Sequence, residues 1–375
     1  MSDLELIGIA ATQEVSETTG GNQADGITAQ TESGTPVGAV VNPAYVEELA
    51  RAHEDSGFDR VLIAHTSAMP DGFVVADQIL RRTTKLKVLL AHRPGFLAPT
   101  LAARSYATLD AFHPGRVAMH VITGGDDVDQ QRDGDFLDKA TRYARSDDFL
   151  TVVRQEWESE RPFDHEGEFF RVKQGWSSVR PATPIPVYFG GASDDAIRVG
   201  GKHADVYAFW GEPLAGIAER IRQVRAAAAP YGRHPKFSVS LRPIVADTEQ
   251  EAWARAEEIL RKTEERWDTT RRTFGLDGQN AVGSQRLLEA AAEGDVLDKR
   301  LWTAVAKVTG ATGNSTALVG SYEQVADALL DYVDLGVSTL LIRGFDPLAD
   351  ARAYGRLIEL VRTGAAQRQS ARVPA

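Results

Sequence analysis

Short apolar segments with the composition of β-strands alternate with helical patterns along most of this chain. Eight such segments can be distinguished, and the alternation is typical of parallel α/β folds. It predicts a (β/α)8 TIM barrel, although periodicity alone leaves an open doubly wound sheet nearly as favourable. The predicted strands are Glu5–Ala11, Arg60–Ala64, Leu86–Ala91, Val117–Ile122, Val187–Gly190, Val206–Trp210, Phe237–Val245 and Thr339–Arg343.

The predicted helices lie between these strands. Asn42 followed by Pro43 is a favourable helix start, because asparagine caps helices and proline suits the first helical position. Gly57 ends that helix, and a later one that begins near Leu101 ends at His113. The other predicted helices are Asp71–Arg82, Tyr143–Trp157, Asp195–His203, Leu214–Tyr231, Glu249–Arg261 and Tyr322–Leu335.

Three segments of this single predicted domain, which spans residues 1–375, exceed an ordinary loop. Residues 12–41 are predicted to be an N-terminal loop insertion, and residues 162–186 a small hairpin and connector. Residues 262–316 contain two possible helices, Glu264–Thr273 and Ser284–Glu293. Insertions that follow barrel strands lie at the catalytic end, so we interpret 262–316 as a candidate lid. A static insertion or an oligomer contact is the alternative.

Composition excludes several classes of function. The net charge of −11 disfavours nucleic acids and anionic membranes as partners. The absence of cysteine excludes disulfides, thiolate metal sites and cysteine nucleophiles. The eight histidines have no metal-binding spacing, and no G-x-S-x-G elbow occurs, so hydrolase and metalloenzyme functions are disfavoured. Without an apolar run of about 18 residues or a signal peptide, a cytoplasmic protein is expected.

A glycine-rich turn, YFGGAS, follows the predicted strand at Val187–Gly190 and precedes a helix. Backbone N–H groups of such a turn, together with the Ser193 hydroxyl, can hold a phosphate at a helix N-terminus. The turn has neither the G-x-G-x-x-G nor the P-loop pattern, so nothing indicates a Rossmann site or a nucleoside triphosphate. By itself, the pattern favours an ordinary tight turn.

The segment AHRPGFLAPTLAARSYATLDAFHPGR, Ala91–Arg116, and the following VAMHVITGG resemble the bacterial luciferase-like flavin monooxygenases. The likeness is greatest to their alkanesulfonate monooxygenase branch, and it extends from about Tyr45 to Leu360, including TALVGS at 316–321. The resemblance implies a TIM barrel that binds reduced FMN from a separate NAD(P)H:flavin reductase. It also implies that O2 adds at flavin C4a and that the peroxyflavin oxygenates a small-molecule substrate. A homodimer or homotetramer is expected.

The resemblance also implies a cofactor site. In the family, the turn at Gly191, Ala192 and Ser193 holds the FMN phosphate, and a tyrosine at the position of Tyr143 reaches the same group. The alternative for Tyr143 is a half-buried aromatic residue at a helix start.

Four further positions are expected beside the isoalloxazine ring on the same basis. Thr123 and Gly124 match residues that lie against the ring in the family. Ala91 and His92 occupy the position where relatives tend to have a non-prolyl cis peptide next to the flavin.

The catalytic candidates are His65, His120, Trp210, Arg242 and Arg343. A structural role is the alternative for each: a satisfied histidine, a core tryptophan or an arginine in a salt bridge. The two arginines are candidates because the family's sulfonate motif is altered. Alkanesulfonate enzymes have Arg-Leu-His where this chain has Ser240-Leu241-Arg242, and guanidinium groups suit sulfonate or carboxylate oxygens.

The sequence therefore predicts an FMNH2-dependent monooxygenase of a small organosulfur compound, such as a sulfonate or sulfone. One alternative is a monooxygenase of another polar substrate, such as an amide, an N-heterocycle or a natural-product intermediate. Two further alternatives are an F420-dependent oxidoreductase and a non-enzymatic flavin-binding protein.

Overall fold

The chain folds into a closed parallel barrel with helices around it, which confirms the predicted architecture and excludes the open sheet. The computed structural model describes residues 4–13, 41–274, 281–311 and 313–372. Its strands are β1 (Glu5–Ile9), β2 (Arg60–Ile63), β3 (Lys87–His92), β4 (Val117–Val121), β5 (Phe163–Glu166), β6 (Arg171–Gly175), β7 (Val187–Gly190), β8 (Val206–Trp210), β9 (Lys236–Ala246), β10 (Val296–Leu297), β11 (Leu301–Trp302), β12 (Ala317–Ser321) and β13 (Thr339–Ile342).

The ring of the barrel has the order β1-β2-β3-β4-β7-β8-β9-β13, and β13 pairs with β1 to close it. All eight predicted strands are present. An ionic group lies at the amino-terminal end of the barrel strands. There Arg60 donates to Glu5 at 2.9 Å, and the Tyr188 hydroxyl donates to the same carboxylate. Above it, apolar side chains from several strands fill the interior, including Ile7, Leu89 and Tyr188.

The helices pack around this ring. They are α1 (Pro43–Asp55), α2 (Gly72–Arg82), α3 (Pro99–Phe112), α4 (Asp127–Arg132), α5 (Lys139–Glu158), α6 (Asp194–His203), α7 (Leu214–Ala228), α8 (Glu249–Phe274), α9 (Val282–Glu293), α10 (Ala304–Thr309), α11 (Tyr322–Asp334) and α12 (Pro347–Arg372), and a short 3-10 turn (Ala229–Tyr231) follows α7. Asn42 caps α1 as predicted, accepting from two backbone N–H groups. Among the described residues, no helix is both long and apolar enough to cross a lipid bilayer.

Strand β9 is longer than its neighbours and belongs to two sheets. Its first half, to Leu241, pairs with β13, whereas the half that begins at Arg242 pairs with β12. Strands β10 and β11 extend this side sheet, and α8 packs on it around Ile244, Trp302 and Phe345. The TALVGS run is therefore a strand, β12, that lies outside the barrel.

The three long segments differ from one another. Residues 162–186 contain the predicted hairpin, formed by β5 and β6. Residues 14–40 of the predicted N-terminal insertion lie outside the described residues. In 262–316, the predicted helix Glu264–Thr273 is not separate, because α8 continues without a break to Phe274. The second predicted helix is present as α9. Helices α4, α10 and α12 were not predicted from the sequence.

Candidate functional site

A cavity of about 300 Å³ opens at the carboxyl ends of the barrel strands, where active sites of this architecture form. Most of the residues singled out from the sequence line it, although they come from eight different elements or loops. These are His65, Ala91, His120, Thr123, Gly124, Tyr143, Gly191, Ala192, Ser193, Trp210 and Arg343. His92 and Arg242 are not among the lining residues.

The turn after β7 is shaped for a close approach by other groups. Gly191 has φ +147°, and a Cβ atom there would lie 2.5 Å from the Ala196 Cβ and 3.0 Å from the Tyr143 hydroxyl. Ser193 caps α6, its hydroxyl accepting from the Ala196 N–H at 3.3 Å. The turn, the start of α6 and Tyr143 thus form one surface. An oxyanion at this helix N-terminus would be stabilised by the backbone N–H groups.

Two cationic side chains that no sequence motif indicated line the same cavity as this turn. Lys139 precedes Tyr143 by one helical turn on α5, and both line the cavity. Arg220 of α7 is buried and donates from Nη2 to the Ala192 carbonyl at 2.5 Å. Burial and nearby arginines lower the pKa of both groups. Because burial and like charges disfavour each of these cations, an anion bound close to either group would be stabilised, so the donor set fits a phosphate group.

The loop after β4 places a polar side chain next to the predicted ring site. Gly124 has φ +93°, and a Cβ atom there would lie 1.8 Å from Nε2 of Gln130. Gln130 is buried and lines the cavity, and no described residue accepts a hydrogen bond from its Nε2. A buried amide without a partner is unfavourable, so Gln130 fits a ligand acceptor at this position. The site therefore fits a flavin at two places. The turn after β7 suits its phosphate, and Gln130 suits an acceptor atom of its ring.

The histidines in and near the cavity are held neutral. Burial lowers the pKa of His120 to about 4, and no described residue hydrogen-bonds its Nδ1. Burial and the neighbouring Arg93 lower the pKa of His65. Near pH 7 both imidazoles are therefore neutral and can donate one hydrogen bond and accept another.

His92 lies on the opposite face of β3 from the cavity, since successive residues of a strand point to opposite sides. Its ring is stacked on Phe149 with centroids 5.2 Å apart, and burial lowers its pKa to about 3. Only its backbone is near the site, where the Ala91–His92 peptide bond is trans. The expected ring contact thus falls to Ala91, which lines the cavity.

The two candidate arginines have different environments. Arg343 follows β13, lines the cavity and is 8% exposed. Arg242 lies in the side sheet, where its Nη2 donates to the Gly344 carbonyl at 2.8 Å and its guanidinium lies 4.0 Å from the centre of the Phe345 ring. Arg242 points away from the cavity because β9 leaves the barrel after Leu241.

Hydroxyl and amide groups line the side of the cavity next to Arg343. Ser238 and Ser240 project from β9, and Asn314 reaches in from the loop before β12. Asn314 donates from Nδ2 to the Ser240 hydroxyl at 2.9 Å. Trp210 borders the same region at the end of β8. These groups would bind oxygen atoms of a small polar ligand through several hydrogen bonds.

The fold is that of the luciferase-like α/β TIM barrels. Residues 22–339 match the family described as luciferase-like monooxygenase, and the chain belongs to that family.

Solved structures of the same fold include enzymes of different chemistry. The structure of riboflavin lyase, determined with a modified FMN and riboflavin, is 21% identical, with a TM-score of 0.75 over 96% of this chain and 92% of that one. EDTA monooxygenase from Chelativorans sp. BNC1 is 18% identical, with a TM-score of 0.72 and coverages of 96% and 94%. An F420-dependent secondary alcohol dehydrogenase is 16% identical, with a TM-score of 0.68 and coverages of 96% and 100%. At these identities the likeness shows the fold alone.

Proposed function

We propose that this chain is the oxygenase of a two-component system, using reduced FMN and O2 to oxygenate a small organosulfur compound, alkanesulfonate- or sulfone-like. The observation that carries the proposal is the group of Gly191, Ser193, Tyr143, Lys139 and Arg220 at the barrel mouth. This group provides backbone N–H groups, hydroxyls and two cations that line the same cavity, which suits the phosphate of FMN.

The ring of the flavin would extend from this point into the barrel. Thr123, Gly124 and Ala91 would form its walls, and Gln130 would donate to one of its acceptor atoms. Reduced FMN bound there would supply the activation of O2. The chain itself would exclude water, hold the ring, and present the neutral His120 and His65 as hydrogen-bond partners in a site of low dielectric.

The remaining space favours a small and polar substrate. A volume of about 300 Å³ is at the lower end of the range for ligand pockets, so a substrate bound beside the flavin ring would have to be small. Next to the ring position lie Arg343, Ser240 and Asn314, which together would bind the oxygen atoms of a sulfonate or sulfone. Cleavage of the carbon–sulfur bond of a sulfonate would release sulfite and an aldehyde.

A separate NAD(P)H:flavin reductase is part of this proposal. The sequence contains no dinucleotide-binding G-x-G-x-x-G turn, so the chain has no evident means of reducing its own flavin. Such an oxygenase must capture the reduced flavin that the reductase releases. We therefore expect FMNH2 to bind more tightly than FMN.

Anaerobic fluorescence titration with FMN, FMNH2 and F420 tests the cofactor. Tighter binding of FMNH2 than of the other two supports the proposal, whereas preferential binding of F420 would replace it with a hydride-transferring oxidoreductase. The substrate class is tested by assaying the chain with a flavin reductase, NADH and a panel of short alkanesulfonates, sulfones, amides and N-heterocycles. Sulfite release is the expected result for the sulfonates. Turnover of amides or N-heterocycles alone would contradict the organosulfur assignment.

A further inference from the structure

Glu212, two residues after the end of β8, connects two arginines from distant parts of the chain. Its carboxylate Oε2 accepts from Nε and Nη2 of Arg286 at 2.8 and 2.6 Å. Its other oxygen, Oε1, lies 3.9 Å from Nε of Arg220. Glu212 is only 5% exposed, so this carboxylate interacts in surroundings that screen charges weakly.

The two arginines belong to two different helices near the cavity. Arg220 is on α7 and holds the Ala192 carbonyl of the phosphate turn. Arg286 is on α9, within the insertion at 262–316. Glu212 is therefore a bridge between the turn that would bind phosphate and a helix that borders the cavity.

The first turn of α9 contacts the same region directly. A Cβ atom on Gly283 would lie 3.1 Å from the Trp210 ring and 3.8 Å from the Ala192 Cβ. Ala281, Val282 and Gly283 all line the cavity. Helix α9 thus meets the phosphate turn both by packing at its start and through Arg286, Glu212 and Arg220.

We infer that Glu212 is a positioning residue that makes phosphate binding at the turn and closure of α9 over the cavity favour each other. Glu212 keeps Arg220 against the Ala192 carbonyl and keeps Arg286, and with it α9, against the end of β8. Coupling between two such events is reciprocal, so each must stabilise the other by the same factor. The inference rests on the proposed function in taking the FMN phosphate as the bound anion.

The test is Glu212→Gln, which keeps the shape of the side chain and removes its charge. We expect FMN affinity to fall about tenfold, within the usual range of such couplings, while affinity for riboflavin, which has the same ring without the phosphate, changes little. The matched control is Glu219→Gln. Glu219 is on α7, lies 3.5 Å from Arg286 and is far more exposed, so its loss should leave both affinities unchanged.

Hydrogen exchange of the α9 amides provides a readout that does not depend on activity. In the unchanged protein FMN should slow exchange in α9 and riboflavin should not. In Glu212→Gln the effect of FMN on α9 should disappear. If the glutamine variant fails to fold, Arg286→Gln should remove the same protection while leaving the pair of Glu212 and Arg220 in place.

Two results would overturn the inference. One is an equal loss of FMN and riboflavin affinity in Glu212→Gln, which would show a general structural role. The other is FMN-dependent protection of α9 that persists in both variants. If the unchanged protein binds no flavin, the proposed function fails, and inorganic phosphate then tests the coupling alone. Slower α9 exchange with phosphate in the unchanged protein only would support it, and no effect would contradict it.

Discussion

Asn314 donates a hydrogen bond of 2.9 Å to the hydroxyl of Ser240, which ties the loop before β12 into the mouth of the barrel. Thr316 adds a second tie, donating to the Gly211 carbonyl at 2.7 Å. The end of the insertion at 262–316 is therefore anchored at the site. We therefore expect a movement of this insertion over the cavity to involve α9 and not the anchored residues Asn314 and Thr316.

Replacing Ser240 by alanine tests this anchor. The Asn314 amide would lose its acceptor in a largely buried position, which should lower the free energy of unfolding by about 1–3 kcal/mol. Urea denaturation measures the change. The control is Ser105→Ala on α3, whose hydroxyl bonds only within its own helix and whose loss should change stability by less than about 0.5 kcal/mol. Equal stability of both variants would show that the anchor contributes little.

Ser193→Ala and Tyr143→Phe should each weaken FMN binding by about 1.5–3 kcal/mol, the usual contribution of a hydrogen bond to a charged group. Riboflavin binding should change little, because that ligand has no phosphate. Ser193→Ala should also lower the free energy of unfolding by about 1 kcal/mol, since Ser193 caps α6. Fluorescence titration and urea denaturation separate the two effects. A variant that binds FMN like the unchanged protein would refute the phosphate role of that residue.

Arg343→Met should affect substrate binding, whereas Arg242→Met should affect stability. Arg343 borders the substrate space, so its loss should raise KM for an anionic substrate about tens- to hundreds-fold with flavin affinity preserved. Arg242 packs on Phe345 and bonds the Gly344 carbonyl, so its loss should lower the melting temperature instead. Steady-state kinetics and thermal unfolding of both variants provide the comparison. An unchanged KM for Arg343→Met would point to a neutral substrate.

The buried histidines should make the protein less stable in mild acid. Burial lowers the pKa of His53 and His120 to about 4 and that of His92 to about 3, from an ordinary value of 6.5. Between about pH 4 and 6.5 the unfolded chain therefore binds more protons than the folded protein. Stability should rise with pH through this window, by up to about 1.4 kcal/mol per pH unit for each histidine.

Urea denaturation at a series of pH values between about 4.5 and 8 measures that slope. His120→Gln should make the slope smaller by removing one titrating group. A slope that is the same in both proteins would show that folding does not lower the pKa of His120.

The sequence by itself determined the eight strands and the parts of the site that are local in the chain, whereas the choice of a closed barrel over an open sheet came from the family resemblance. Strand and helix periods follow from nearest-neighbour patterns, so all eight barrel strands were predictable. The turn at Gly191–Ser193 was also recognisable, because a glycine-rich strand-to-helix junction can present backbone N–H groups at a helix N-terminus. Its assignment to a phosphate came from the family resemblance. The prediction of a separate helix at Glu264–Thr273 was wrong for a local reason as well. No residue pattern near Arg261 distinguishes a helix that continues from one that ends.

Only the tertiary structure decided which side chains meet. Arg242 and Arg343 were equivalent in sequence, and the departure of β9 from the barrel separates them. Lys139, Arg220 and Gln130 lie on three helices and have no motif, yet the closed ring of strands brings them to one cavity. Their positions depend on packing between elements far apart in the chain, and periodicity carries no information about such contacts.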